Sequence, residues 1–174
     1  MYLGQEFHIF DWFYIHFTEN NGMAFGIEFG GYWGKLALSL FRIVFVFFMI
    51  SYLWRLIKKN ADAIVITSLS LILAGAIGNI IDGVLYGIIF SESFHQIATF
   101  LPDSGGYSSI FFGRVVDMFY FPLFKGYFPQ WVPCFGGDYF VFFRPVFNIA
   151  DAAITVGVGI VIFFQKHVMK EFEA

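Results

Sequence analysis

Residues Ala63 to Asp82 read AIVITSLSLILAGAIGNIID. No charge interrupts the run until its last residue. About 20 apolar residues are needed for a helix to cross the hydrocarbon core of a bilayer, so this stretch predicts a membrane span over 63–82. Two further spans flank it. Leu36 to Leu56 holds Arg42 inside it, and Pro145 to Gln165 holds Asp151 as its one charge. Composition agrees: apolar types make up 59% of the 174 residues, charged types 13%, and Phe alone occurs 27 times. Soluble domains carry about 25% charge, so too little polar surface remains to shield three such helices. Disorder is excluded, because it needs high charge and few aromatics. A net charge of −3 with ten Lys and Arg leaves no footprint for nucleic acid. A single cysteine, Cys134, excludes an internal disulfide and a zinc cluster. The expected class is a membrane all-α helical bundle, one integral domain over 1–174, with spans at 36–56, 63–82 and 145–165.

Charge placement orients the spans. Arg55 lies at the end of the first span, Lys58 and Lys59 sit between the first two, and Lys166 and Lys170 follow the third, whereas residues 1–34 contain no Lys or Arg. Positive residues stay cytoplasmic, which puts 1–34 and the long segment 86–142 outside. Met1 is followed by neither a basic nor an apolar leader; an outside start then calls either for a span upstream of Met1 or for the 34-residue segment to cross as the first span inserts. The segment 1–34 reads as β-rich: Phe13–Phe17 is a strand, Asn20-Asn21-Gly22 is a hairpin signal, and Met23–Phe29 returns as a second strand. Trp12, Tyr32 and Trp33 suit an interfacial aromatic belt. The segment 86–142, rich in Gly, Pro, Phe and Tyr, reads as a loop-rich outer lid.

Ionisable residues at membrane depth are costly and are therefore candidates for function. Asn79 and Asp82 close the second span, and Asn148 and Asp151 open the third; a spacing of three puts each pair on one helix face. Arg42 follows Lys35 by seven residues and Asp151 follows Arg144 by seven, so both lie about 10 Å into the outer leaflet. Asp117 lies in the apolar run Val115-Val116-Asp117-Met118-Phe119. Plainer readings compete: Asp82 ends its helix in the headgroups, Asp151 is a structural partner of Arg42 or Arg144, Asp117 is a loop acid, and Arg42 positions rather than reacts. Cys134 has no base beside it, and the four histidines lack metal-ligand spacing. Two carboxylates facing each other share a proton. One then activates a water while the other protonates or polarises a carbonyl, which hydrolyses a peptide bond. This chemistry needs no cofactor and no metal.

Four blocks of sequence resemble the lipoprotein signal peptidases, or signal peptidase II, a family of four-helix aspartic peptidases of the bacterial inner membrane. Asn20-Asn21-Gly22-Met23-Ala24-Phe25-Gly26 is similar to the family's N-x-G-x-A-F block, and Gly78-Asn79-Ile80-Ile81-Asp82 to its G-N-x-x-D-R block. Val115-Val116-Asp117-Met118 is similar to V-V-D-F, and Phe147-Asn148-Ile149-Ala150-Asp151, with Ile154, to F-N-x-A-D-x-x-I. The resemblance implies a catalytic dyad of Asp117 and Asp151, supported by Asn79, Asp82 and Asn148, with Asn20 holding the substrate backbone. It also implies cleavage of a diacylglyceryl-modified prolipoprotein just before its lipidated cysteine, at an outer face in contact with membrane lipids.

Three departures accompany it. The family's first helix, with its D-Q-x-x-K motif, is absent from this sequence. Gly83 stands where the second block has Arg, and Arg114 is the expected replacement for that charge. The stretch between Asp82 and Asp117 is enlarged to 34 residues. The alternatives are a non-enzymatic transporter or lipid-binding protein of the membrane, and an inactive truncated family member.

Overall fold

A computed structural model describes residues 1–21 and 31–173. The chain runs through β1 (Glu6–Phe10), β2 (Phe13–Asn20), α1 (Gly31–Lys58), α2 (Ala63–Ile89), β3 (Val115–Tyr120), β4 (Phe124–Tyr127), β5 (Tyr139–Phe142), β6 (Val146–Phe147), α3 (Ile149–Phe163) and α4 (Gln165–Glu173). Two helices, α1 and α2, are long and apolar enough to cross a membrane. A third crossing needs α3 and α4 taken together, and these are bent by 83° at their junction. The protein is thus of membrane type, helical, with two to three apolar helices and a small sheet region.

The helices differ from the expected spans at their outer ends. Helix α1 starts at Gly31, so 31–34 belong to it rather than to the β-rich segment. Its outer end is tied down by Lys35, whose ammonium donates to Asn21 Oδ1 at 2.6 Å and to the Phe112 carbonyl at 3.0 Å. Helix α2 runs seven residues past Asp82, which therefore does not end it. The chain after α2 makes that extension possible by supplying hydrogen bonds to its last turns. The Gly113 amide donates to the Gly83 carbonyl, Phe111 to Val84 and Ser108 to Gly87. The contact is close: a Cβ on Gly113 would lie 2.3 Å from the Asp82 carbonyl oxygen, and one on Gly106 2.2 Å from that of Gly87. Helix α3 starts only at Ile149, because Val146 and Phe147 pair with β3 and Asn148 caps the helix.

Small residues let α2 and α3 approach closely, as is usual between membrane helices. A Cβ on Gly75 would fall 2.2 Å from the Ala150 carbonyl oxygen, and one on Gly157 2.7 Å from that of Ser68. At the Lys-rich end, α4 turns across the base of the bundle. Val168 is buried there with Leu56 and Val65, His167 Nδ1 meets Asp62 Oδ2 at 2.5 Å, and Glu171 accepts from the Asp62 amide.

The outer segments are more ordered than a loop-rich lid. An antiparallel sheet has the order β1-β2-β3-β6, and β4 and β5 form a separate hairpin. The expected strand at Phe13–Phe17 is the core of β2, but its hairpin partner is β1, before it in sequence. The expected return over Met23–Phe29 lies outside the described residues. Trp12, Tyr32 and Trp33 are all exposed, as an aromatic belt requires.

Candidate active site

The N-x-x-D spacing works as a clamp at the start of α3. The Asn148 side chain accepts from the Asp151 amide at 2.9 Å, and the Asp151 side chain accepts from the Asn148 amide at 3.2 Å, forming a reciprocal capping box. This satisfies two backbone donors that the helix start leaves free. It also fixes both side chains. Because α3 packs against Gly75 and Gly78 through Ala150, Asp151 is set opposite Asn79, which donates to Asp151 Oδ1 at 2.8 Å.

Strand β3 brings in the third acid. Asp117 pairs with Thr18 of β2 and is only 4% exposed. Asn148 Nδ2 lies 2.8 Å from Asp117 Oδ1, 3.0 Å from Asn79 Oδ1 and 3.3 Å from the Val116 carbonyl. Asn20, at the end of β2, donates to the other oxygen of Asp117. Asp82 holds the strand against α2 by accepting from the Val116 amide at 3.2 Å, and it is also hydrogen-bonded to Tyr86. Asn20, Asn79, Asp82, Asn148, Asp117 and Asp151 thus form one network. A cleft of about 310 Å³ opens beside it, lined by Asn79, Asp82, Tyr86, Val116, Asn148 and their neighbours. Arg42 on α1 is near enough to Asp151 for their charges to interact.

Among the described residues, the side chains that donate to Asp117 are the neutral amides of Asn20 and Asn148. Burial, and then the nearby charge of Asp151, push its carboxyl up to about 6. A carboxyl that titrates near neutrality can both hold and release a proton, which is what acid–base catalysis needs.

Arg114 lies elsewhere than expected. Its guanidinium is not on the aspartates; it makes a fork on Glu92, at 2.7 and 3.1 Å, and reaches Glu19 at 2.8 Å. Its amide donates to the Tyr107 hydroxyl at 2.6 Å, and its guanidinium lies over the Tyr107 ring. The bond to Glu92, outweighing burial, raises the Arg114 pKa, and the same bond lowers that of Glu92. Among the described residues, nothing lies within 4 Å of a Cβ built on Gly83. Glu19, Glu92 and Tyr107 were not legible from spacing, since Glu19 and Glu92 lie 95 and 22 residues from Arg114.

Comparison with known proteins agrees with the geometry. A family model described as Signal peptidase (SPase) II matches residues 1–166. The chain belongs to the signal peptidase II family. That membership assigns it to the aspartic-type signal peptidases. A lipoprotein signal peptidase of Porphyromonas gingivalis is 57% identical over 158 residues, covering 90% of this chain and 69% of that protein. One of Amoebophilus asiaticus is 40% identical over 165 residues, covering 94% of this chain and 66% of that one. A solved bacterial membrane enzyme matches with a TM-score of 0.56 at 26% identity, covering 97% of this chain and 75% of its own.

Proposed function

We propose that this chain is the endopeptidase that removes the signal peptide from diacylglyceryl-modified prolipoproteins, cutting just before the lipidated cysteine. Asp117 and Asp151 are its catalytic pair. The observation that carries the reading is the Asn148–Asn79 bridge, which ties the two carboxylates into one network beside a cleft that Asn79 and Asn148 line. In the reaction, one carboxylate takes a proton from a water held between the pair. The water oxygen attacks the scissile carbonyl, and the other carboxyl gives its proton to the carbonyl oxygen. As the gem-diol intermediate collapses, the C–N bond breaks, the leaving nitrogen takes the proton held by the first carboxyl, and one gem-diol hydroxyl returns its proton to the other carboxylate, which restores the singly protonated pair. The pair titrates as a unit. Asn20, Asn79 and Asn148 orient the carboxylates, and Asp82 fixes β3 at the correct height.

The membrane is the bacterial inner membrane, with the site on the periplasmic side. The Lys-rich α1–α2 turn and α4 lie at the opposite end of the bundle from the network, in line with the rule that positive residues stay cytoplasmic. A lipid-anchored substrate delivers its scissile bond at the level of such a site. The test is cleavage of a lipidated prolipoprotein by protein reconstituted in lipid, with Asp117→Asn and Asp151→Asn each compared with wild type. Each variant should be inactive yet folded, and retained cleavage by either overturns the dyad.

A further inference from the structure

The β4–β5 hairpin has no place in the chemistry just described. Its stretch, residues 121–143, has ten aromatic residues in 23 and only two charges, Lys125 and Asp138, which cancel. A two-stranded hairpin alone is marginal in water, yet this one presents its rings outward. Trp131 is 80% exposed, and Phe124, Tyr127, Phe135 and Phe142 are exposed as well. Among the described residues, its ring contacts to the rest of the chain are at its foot: Phe121 on Phe147, Trp12 and Phe13, Phe143 on Phe147, and Lys125 over Tyr14.

The tip is held by its own hydrogen bonds rather than by other elements. The Gly137 amide donates to Phe128, Phe128 to Asp138, Gly136 to Val132 and Asp138 to Phe135. The foot is six residues from the first turn of α3, where Ile149 is 72% exposed on a largely apolar helix. The hairpin therefore begins beside the exposed apolar start of α3 and continues that apolar surface.

We propose that the β4–β5 hairpin docks on the lipid headgroup region of the leaflet where α3 begins, with Trp131 and Phe135 inserted at its boundary with the acyl chains. Composition selects the interface. Trp and Tyr concentrate there, where one end of the ring is apolar and the other is wet. Depth is limited by the backbone. Both outer edges of a two-stranded hairpin have unpaired N–H and C=O groups, which the hydrocarbon core does not tolerate. Rings on both faces also favour a surrounding solvent over a single protein partner, which would cover one face. The docking does not depend on the catalytic reading.

Cys134 allows a direct test. It is the one cysteine of the chain, it is exposed, and it lies at the tip between Trp131 and Phe135. A nitroxide attached to Cys134 of the otherwise unaltered protein, reconstituted at high dilution in phosphatidylethanolamine–phosphatidylglycerol vesicles, reports depth by its exposure to oxygen against an aqueous nickel chelate. The ratio should exceed several-fold that of a nitroxide at an aqueous reference, Lys59→Cys in a Cys134→Ser background. It should lie below that of a lipid-facing reference, Phe163→Cys in the same background. In a Trp131→Ser/Phe135→Ser variant, the ratio at Cys134 should fall towards the aqueous value, with cleavage of a lipidated prolipoprotein measured alongside. A water-like ratio at Cys134 in the unaltered protein overturns the docking, whatever the cleavage result. Spin–spin broadening at high dilution overturns it in favour of a second copy of the chain.

Discussion

Two clusters of charge share the β2–β3 sheet and are built on opposite principles. In one, Arg114 bridges Glu19 and Glu92, and each acid has a cationic hydrogen-bond partner. In the other, Asp117 is nearly buried and accepts from the neutral amides of Asn20 and Asn148. Neighbouring residues feed both clusters: Glu19 beside Asn20, and Arg114 three residues before Asp117. The compensated cluster lowers the pKa of Glu92, while the uncompensated site pushes Asp117 up to about 6. A neutralised cluster holds a fold together. A carboxyl left without a cation of its own costs stability and gains a proton that can move.

The sharpest way to break this contrast is to remove acids from each cluster in turn. Asp117→Asn and Asp151→Asn should lower cleavage by roughly a thousandfold or more, the upper range for loss of an acid–base group. They should leave the fold intact. Asp117 also predicts a dependence of stability on pH with a definite sign. Its carboxyl is raised from 3.8 to about 6, so the native state binds the proton more tightly than the unfolded chain. Stability should therefore fall as pH rises from about 4 to 6, by roughly 3 kcal/mol at 1.36 kcal/mol per unit, and level off above. Thermal unfolding in micelles at pH 5 and 7.5 samples the upper part of this window, about 1.4 kcal/mol of the change. Asp117→Asn should be less sensitive to pH over that interval, and an identical slope in both proteins would show that Asp117 is not the group responsible.

The other cluster should respond in the opposite sense. Arg114→Ala leaves Glu19, whose side chain is 8% exposed, without its cation. The expected loss is about 2 kcal/mol of stability, the usual scale for a hydrogen bond to a charged group. Cleavage per folded molecule should change far less than with either aspartate variant. A variant that unfolds no more easily but cleaves a hundredfold more slowly would place Arg114 in the chemistry and erase the contrast.

How far each cluster was legible follows from the range of its contacts. The Asn79/Asp82 and Asn148/Asp151 faces were visible because both pairs are three residues apart on one helix. The level of Asp151, counted as seven helical residues from Arg144, was not legible, because Val146 and Phe147 pair with β3 and Asp151 is only the third residue of α3. Local rules failed where distant segments decide. Asp82 looked like a helix end, because the backbone that supports α2 as far as Ile89 comes from residues 101–113. Strand β1 was not legible because its polar–apolar alternation, Glu6-Phe7-His8-Ile9, lasts only four residues before Phe10 breaks it, and both its faces are exposed. Arg114 looked like a substitute for the absent Arg at Gly83, because nothing local marks Glu19, on a strand far back in the chain, as its partner.

The smallest expected effect sharpens the contrast most finely, because it changes the environment of one carboxyl without removing it. Asn20 donates to Asp117 and favours its ionised form, against burial and the charge of Asp151. Asn20→Ala removes that donor, so the carboxyl should hold its proton to higher pH. If the working enzyme needs one proton on the pair, kcat/KM falls on the alkaline side as that proton leaves. In wild type this limb should lie near the raised Asp117 value of about 6. In Asn20→Ala the limb should move upward by less than about one unit, since one neutral hydrogen bond is worth roughly 1 kcal/mol and a unit is 1.36 kcal/mol. Asn20→Asp, which puts a second acid beside Asp117, should move it further in the same direction. A limb that moves down in both variants would mean that water, entering where Asn20 stood, relieves burial more than the lost hydrogen bond destabilises the anion. Asp117 would then owe its raised value to exclusion of water alone.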